Sequence, residues 1–107
     1  MSEHFNNLTP QEAELLALLS EECGECIQAI GKILRHGLTS YHPDHGDRSN
    51  RANLTREIGD IRAVVRLLCH AGVISASRVD ECTEDKLKRV YQYLHHVTPH
   101  QKEGARS

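Results

Sequence analysis

The fold is decided by the stretch Ser20-Glu21-Glu22-Cys23-Gly24-Glu25-Cys26, which lies in the middle of a long helical pattern. At about 100° per residue, the apolar side chains between residues 15 and 34 form one stripe along that helix. The stripe is formed by Leu15, Leu19, Cys26, Ile30 and Ile33, widened by Leu16, Ile27 and Leu34 on one side and by Leu18 and Ala29 on the other. Glu22 falls inside the stripe, and Glu25 lies at its edge. Two carboxylates are therefore expected to face the core.

A carboxylate that faces a protein core is costly unless it is paired or binds a metal ion. Glu22 and Glu25 are three residues apart on the same face of the helix, so their charges also repel each other. We therefore expect a cation beside this pair.

A second apolar helix carries another acid pair. One line of it holds Leu54, Ile58, Ile61, Val65, Leu68 and Cys69, and a second line holds Val64, Leu67 and Ala71. A helix that is apolar on most of its circumference is typical of the centre of a bundle. Glu57 and Asp60 lie at the N-terminal end of the second line, where a core face is again expected.

These two acid pairs indicate a metal site. A single E-x-x-E pair usually lies on a solvated face, but two pairs that both intrude on apolar stripes favour a shared function. Antiparallel helices packed about 8–10 Å apart can bring four carboxylates together. Ligands that are all oxygens suit Mg²⁺ or Mn²⁺, and carboxylate-bound Mg²⁺ completes its shell with water and phosphate. The pattern thus predicts phosphate chemistry.

The ends of the first helix are well marked. Thr9 can cap it, Pro10 suits the first helical position, and Glu12 completes a capping box. The pattern continues to Arg35-His36, and Gly37 is the expected stop.

The remaining chain predicts two more helices and no strand. After an irregular segment at 38–52, Asn50 or Asn53 is expected to cap a helix from about Leu54 to His70. A third helix is expected at about 78–96, capped by Ser75 or Ser77. We predict an all-α fold, a bundle of three main helices. Its organisation is a flexible start at 1–8, a helical domain at 9–97 and a flexible tail at 98–107.

The composition limits the partners. With one Phe and no Trp in 107 residues, the core is thin for a self-sufficient monomer, so we expect a homo-dimer or homo-tetramer. A net charge of −2 provides no basic field for a nucleic acid polymer. No apolar run approaches about 18 residues, so no membrane association is expected. The first residues lack the regions of a secretory signal, and the four cysteines suit a cytoplasmic thiol state.

The two acid motifs also resemble a known family. Glu21-Glu22-Cys23-Gly24-Glu25, followed after a loop by Glu57-Ile58-Gly59-Asp60, is similar to the EExxE…ExxD signature of MazG-like, all-α nucleoside triphosphate pyrophosphohydrolases. The flanking matches are Ser20, Cys26-Ile27-Gln28-Ala29, Lys32, Arg35 with Gly37, Asn53-Leu54 and Lys86-Leu87-Lys88. The resemblance covers roughly residues 12–94 and is to small members, often from phages or prophages.

This resemblance implies a helical bundle, dimeric or tetrameric, that hydrolyses a nucleoside triphosphate to its monophosphate and pyrophosphate with Mg²⁺, as nucleotide-pool clean-up. The expected substrate is a deoxynucleoside triphosphate. The residues that match the metal ligands are Glu22, Glu25, Glu57 and Asp60. Glu21 matches the first acid of the signature and is a candidate for supporting a ligand or activating water. These five residues form the expected catalytic set.

Substrate ligands are less sharply indicated. Lys32, Arg35 and Lys86 are candidate phosphate donors, although Lys and Arg side chains are mostly solvated. Asn50 and Asn53 are candidates for substrate contact, with helix capping as the alternative. The loop at 45–49 has basic and polar groups suited to a base or sugar, and the preference between bases or sugars stays open.

A different class of function stays open beside the enzyme. Cys23-x-x-Cys26 and His42-x-x-His45 together form a Cys₂His₂ set, which suits zinc in a non-catalytic helical interaction module. Against this interpretation, the cysteines lie within a helix and point toward its apolar stripe. Buried cysteine usually behaves as a small hydrophobic residue.

Overall fold

The computed structural model describes residues 5–41, 46 and 48–99, and every regular element in those ranges is helical. The elements are α1 (Pro10–His36), α2 (Asn50–His70), α3 (Ala76–Arg89) and a 3₁₀ turn at Val90–Tyr93. The prediction of an all-α fold with three main helices is confirmed. The chain divides into two compact units, Met1–Val73 and Ile74–Ser107.

The start and the end of α1 agree with the sequence prediction. The Thr9 hydroxyl accepts a hydrogen bond from the Glu12 amide at 3.1 Å, and the Glu12 carboxylate accepts one from the Thr9 amide at 2.9 Å. Pro10 is the first helical residue. Gly37 follows the last turn with φ of 88°, a left-handed conformation that glycine adopts without steric cost.

The start of α2 differs from the prediction. Ser49 caps the helix, since its hydroxyl accepts from the amide of Ala52 at 3.1 Å. The expectation that Asn50 or Asn53 is the cap is therefore wrong, and the helix begins at Asn50 rather than near Leu54. The reason is that the serine hydroxyl already satisfies the helix end, which leaves the Asn50 side chain to bond elsewhere.

Asn50 fastens the start of α2 to the end of α1. It is 4% exposed, and its Nδ2 donates to the Gly37 carbonyl at 3.0 Å. Its amide donates to the Ser40 carbonyl at 2.7 Å, and the Arg51 amide donates to the Leu38 carbonyl at 2.9 Å. These bonds hold α1 and α2 as an antiparallel hairpin.

The core of the hairpin is small. Among the described residues, the buried apolar side chains are Cys26 and Ala29 of α1 and Val64 and Leu68 of α2. The expected core stripes are only partly buried, because one edge of each faces away from the other helix. The exposed members are Leu16, Ile27, Ile30 and Leu34 on α1, with Ile58 and Leu67 on α2.

The second unit contains α3. Ser75 caps it, with its hydroxyl accepting from the Arg78 amide at 3.3 Å. The helix was expected to reach about residue 96, and this is wrong, since it ends at Arg89 and tightens into the 3₁₀ turn at Val90–Tyr93. That turn contains one β-branched and two aromatic residues, which have modest helix propensity. No helix in the described ranges is long and apolar enough to cross a membrane.

Candidate metal and nucleotide site

Three acidic side chains meet inside the hairpin. Glu22 and Glu25 of α1 and Glu57 of α2 each offer a carboxylate oxygen, and these oxygens lie within 4.8 Å of one another. All three residues are half-buried. The antiparallel pairing of the helices thus brings together three of the four acids that the sequence analysis proposes as ligands.

The two remaining acids of the signature lie close by. Asp60 follows Glu57 by one turn of α2 and is half-buried, and its charge raises the pKa of both Glu22 and Glu57. It is not part of the group of three. Glu21 is exposed, and its charge contributes to raising the pKa of Glu22. Their roles as ligand and water activator stay predictions.

The electrostatics of the cluster are unfavourable without a cation. Burial is the main cause that raises the pKa of Glu22, followed by the charges of the neighbouring acids. Burial is also the main cause that raises the pKa of Glu57, followed by a hydrogen bond with the Glu25 side chain. The charges of Glu25, Asp60 and Glu22 raise it further. Each of these groups therefore binds a proton or a cation more readily than an exposed glutamate does.

Two oxygens of the cluster have no hydrogen-bond partner. Glu22 Oε2 and Glu57 Oε2 are buried from solvent, and neither accepts a hydrogen bond within the described part of the chain. Neither Lys32 nor Arg56, the basic side chains of α1 and α2 that line the space beside the cluster, forms an ion pair with Glu22, Glu25 or Glu57. Buried, unpaired carboxylate oxygens fit a hard divalent cation such as Mg²⁺ or Mn²⁺.

A cavity of about 440 Å³ lies beside the acids. Its walls come from α1, α2 and the loop between them. The lining residues are Glu25, Gln28, Ala29, Lys32, Arg48, Asn50, Asn53, Arg56, Glu57 and Asp60. The cavity therefore presents acidic and basic groups to the same space, an arrangement suited to a metal-bound phosphate ligand.

A second cavity of about 440 Å³ shares Lys32 and Asn50 with the first. It is also lined by Arg35, His36, Ser40 and Tyr41. Of the predicted substrate ligands, Lys32, Asn50 and Asn53 line the acid-containing cavity, and Arg35 lines the second.

One predicted substrate ligand lines neither of these two cavities. Lys86 lies in the last turn of α3, in the second unit, so its role as a phosphate ligand stays a prediction. The side-chain amide of Asn50 donates a hydrogen bond to the Gly37 carbonyl, which gives this cavity-lining residue a structural role.

The sequence pattern did not indicate Gln28 or Arg56 as site residues, and Arg48 was covered only by the expectation for the 45–49 loop. The helical spacing from the acids could have indicated two of these three residues. Gln28 lies three residues after Glu25, and Arg56 lies four residues before Asp60, so each shares a face with an acid.

Of the four residues in the zinc alternative, the structure describes the two cysteines. Cys23 is exposed and Cys26 is buried in the hairpin, and both are free thiols. His42 and His45 lie outside the described residues. Within the described ranges, the acid cluster is the one group of three His, Cys, Asp or Glu side chains arranged to hold a metal ion.

An acid cluster beside a cavity with basic walls, built on two helices, is typical of metal-dependent enzymes that act on phosphate esters and anhydrides. The family profile of the MazG nucleotide pyrophosphohydrolase domain matches residues 11–95 of the 107-residue chain. The chain belongs to this family. Membership supports nucleotide pyrophosphohydrolase activity, a nucleotide substrate and the divalent-metal dependence general among its enzymes. Comparison with curated proteins and with solved structures gives no significant match.

Proposed function

We propose that this protein hydrolyses a deoxynucleoside triphosphate to the monophosphate and pyrophosphate, with Mg²⁺ as cofactor, to remove unwanted nucleotides. The observation on which this depends most is the pair of buried, unpartnered oxygens on Glu22 and Glu57. They converge with Glu25 beside the cavity that holds Lys32 and Arg56. Family membership supports the same reaction class.

The residues that would hold Mg²⁺, or Mn²⁺ in its place, are Glu22, Glu25 and Glu57, with Asp60 as the fourth. A bound divalent ion supplies positive charge that offsets the charge developing on the phosphates and makes water more acidic. The cluster is held in place by α1 and α2 themselves, so it is largely formed before substrate binds.

The chain's own groups serve the remaining needs of the reaction. A water oxygen bonds to one phosphorus of the α–β anhydride, and the bond from that phosphorus to the bridging oxygen breaks with its electron pair on that oxygen. Glu21, an exposed carboxylate beside the cluster, is the proposed acceptor of the water proton. Lys32, in the wall of both cavities, is the proposed ligand of the phosphate oxygens, and Arg35, in the second cavity, is the next candidate.

The proposal includes self-association through α1. Leu16, Cys23, Ile27, Ile30 and Leu34 are exposed and follow one another in steps of three, four or seven residues. Ile27 is 69% exposed and Leu34 is 81% exposed. This spacing is that of a helix–helix seam, and a second copy offers the same stripe, so a homo-dimer or homo-tetramer would cover it. A cytoplasmic location suits free thiols and a nucleotide substrate.

The reaction is tested by incubating the protein with a panel of deoxynucleoside and ribonucleoside triphosphates and Mg²⁺. The expected products are a monophosphate and pyrophosphate in equal amounts, separated by ion-exchange chromatography. Glu57→Gln should be inactive, and Glu14→Gln, an exposed acid elsewhere on α1, should retain activity. Absence of product, or release of single orthophosphates, would contradict the proposal. Stoichiometric bound zinc without turnover would favour the interaction module.

A further inference from the structure

Arg56 occupies a distinctive position in the wall of the cavity. It lies directly before Glu57 and one turn before Asp60 on α2, and all three residues line the cavity. A partnership with Asp60 at i and i+4 would be ordinary on a helix. Within the described ranges, however, the Arg56 side chain forms no hydrogen bond and no ion pair. Its guanidinium therefore faces the site without an internal partner.

Acidic and basic side chains are unevenly distributed along the cavity. At 1.5 Å per residue, α1 advances about 10 Å from Glu25 to Lys32. The antiparallel register places Glu57 beside Glu25 and Asn50 beside the end of α1. Moving from the acids toward the loop, the walls thus pass Arg56 and Lys32 and then Arg48. Lys32 and Arg48 thus lie nearer the loop than the acids do, and Arg56 lies on the loop side of Glu57 and Asp60.

We propose that Arg56, together with Lys32, binds the β- and γ-phosphates, so that the pyrophosphate leaving group points toward the loop between α1 and α2. This inference rests on the proposed function. Its basis is charge: pyrophosphate has more negative charge than the nucleoside monophosphate half of the substrate, so it suits the basic residues nearer the loop. A guanidinium can also donate two parallel hydrogen bonds to a phosphate, which an ammonium cannot do with the same geometry.

The substitution Arg56→Ala tests this assignment, with Arg62→Ala as the matched control. Arg62 is an exposed arginine on another face of α2 and does not line the cavity. For Arg56→Ala, the inhibition constant of inorganic pyrophosphate should rise about tenfold, the effect of losing a hydrogen bond to a charged group. The inhibition constant of the nucleoside monophosphate should be unchanged. For Arg56→Lys, the inhibition constant of pyrophosphate should fall between those of the wild type and Arg56→Ala. Lysine retains the positive charge but cannot donate two parallel hydrogen bonds to a phosphate.

Unchanged pyrophosphate inhibition in Arg56→Ala, with wild-type turnover intact, would overturn the inference and leave the proposed function standing. A weakened monophosphate inhibition instead would reverse the direction of the substrate and overturn it as well. If the wild type shows no turnover, the proposed function fails separately. In that case calorimetric titration with inorganic pyrophosphate and Mg²⁺ decides: weaker binding by Arg56→Ala than by Arg62→Ala supports the loop side of the cavity as a pyrophosphate site, and equal binding rejects it.

Discussion

Glu25 on α1 and Glu57 on α2 face each other across the hairpin, with carboxylate oxygens within 4.8 Å. The two groups come from distant parts of the sequence and are both half-buried. Their proximity contributes to raising the pKa of Glu57. Two ionised carboxylates at this separation repel each other, so a proton or a cation between them stabilises the hairpin.

Removing charge from the cluster should separate activity from stability. Glu25→Gln and Asp60→Asn are each expected to abolish turnover, because the site loses a negative ligand. The metal-free fold should be as stable as wild type or more stable, because repulsion is relieved. Turnover by product analysis and urea unfolding in EDTA measure the two effects. Wild-type turnover in both variants would contradict the site.

The stability of the metal-free protein should depend on pH through Glu22 and Glu57. Both have a folded-state pKa above the ordinary value of 4.5, so they favour the folded state below that value. This contribution is lost as the pH rises through the raised pKa values. In EDTA, the free energy of unfolding should therefore fall relative to Glu57→Gln as the pH rises above 4.5. A difference that is constant with pH, or of opposite slope, would contradict the electrostatic account.

The hydrogen bond from the Asn50 side chain to the Gly37 carbonyl should stabilise the folded state. Asn50→Ala removes the donor to the Gly37 carbonyl and leaves that acceptor without its partner. We expect a loss of about 1–3 kcal/mol in the free energy of unfolding, measured with urea. Arg51→Ala, at an exposed neighbouring position, should change it little. An unaltered midpoint in Asn50→Ala would contradict this structural role.

The exposed stripe of α1 should mediate self-association. Ile27→Glu places a charge in the middle of the exposed stripe of α1, so the oligomer should dissociate into monomers. Size-exclusion chromatography coupled to light scattering measures the mass of the assembly. Gln11→Glu adds the same charge at an exposed position on the other side of α1 and should leave the assembly unchanged. A wild-type protein that is monomeric at micromolar concentration would rule out the interface.

Much of the hairpin could be predicted from sequence because its signals are local. The capping box of Thr9 and Glu12 and the stop at Gly37 depend on neighbouring residues only, and both are confirmed. Helical periodicity also placed Glu22 on the inner face of α1. Periodicity could not show which edge of the stripe α2 covers, so Ile27 and Leu34 were expected in the core and are exposed.

The basic wall of the cavity was harder to predict. Arg56 is adjacent to an acid on a helix, a pattern that usually indicates a solvated face. Its placement depends on how α2 packs against α1, which is a tertiary property. The cap of α2 was ambiguous for a related reason, since Ser49 and Asn50 are both good caps and the bond from Asn50 to Gly37 decides between them.

The most direct test of the central claim is the position of Mn²⁺ in crystals grown with that ion, located by its anomalous scattering. The account predicts a peak between Glu22, Glu25 and Glu57, at about 2–2.4 Å from their carboxylate oxygens. Glu57→Gln should lose the peak. A cluster without any peak at saturating Mn²⁺, or with its carboxylates turned into solvent, would contradict the account.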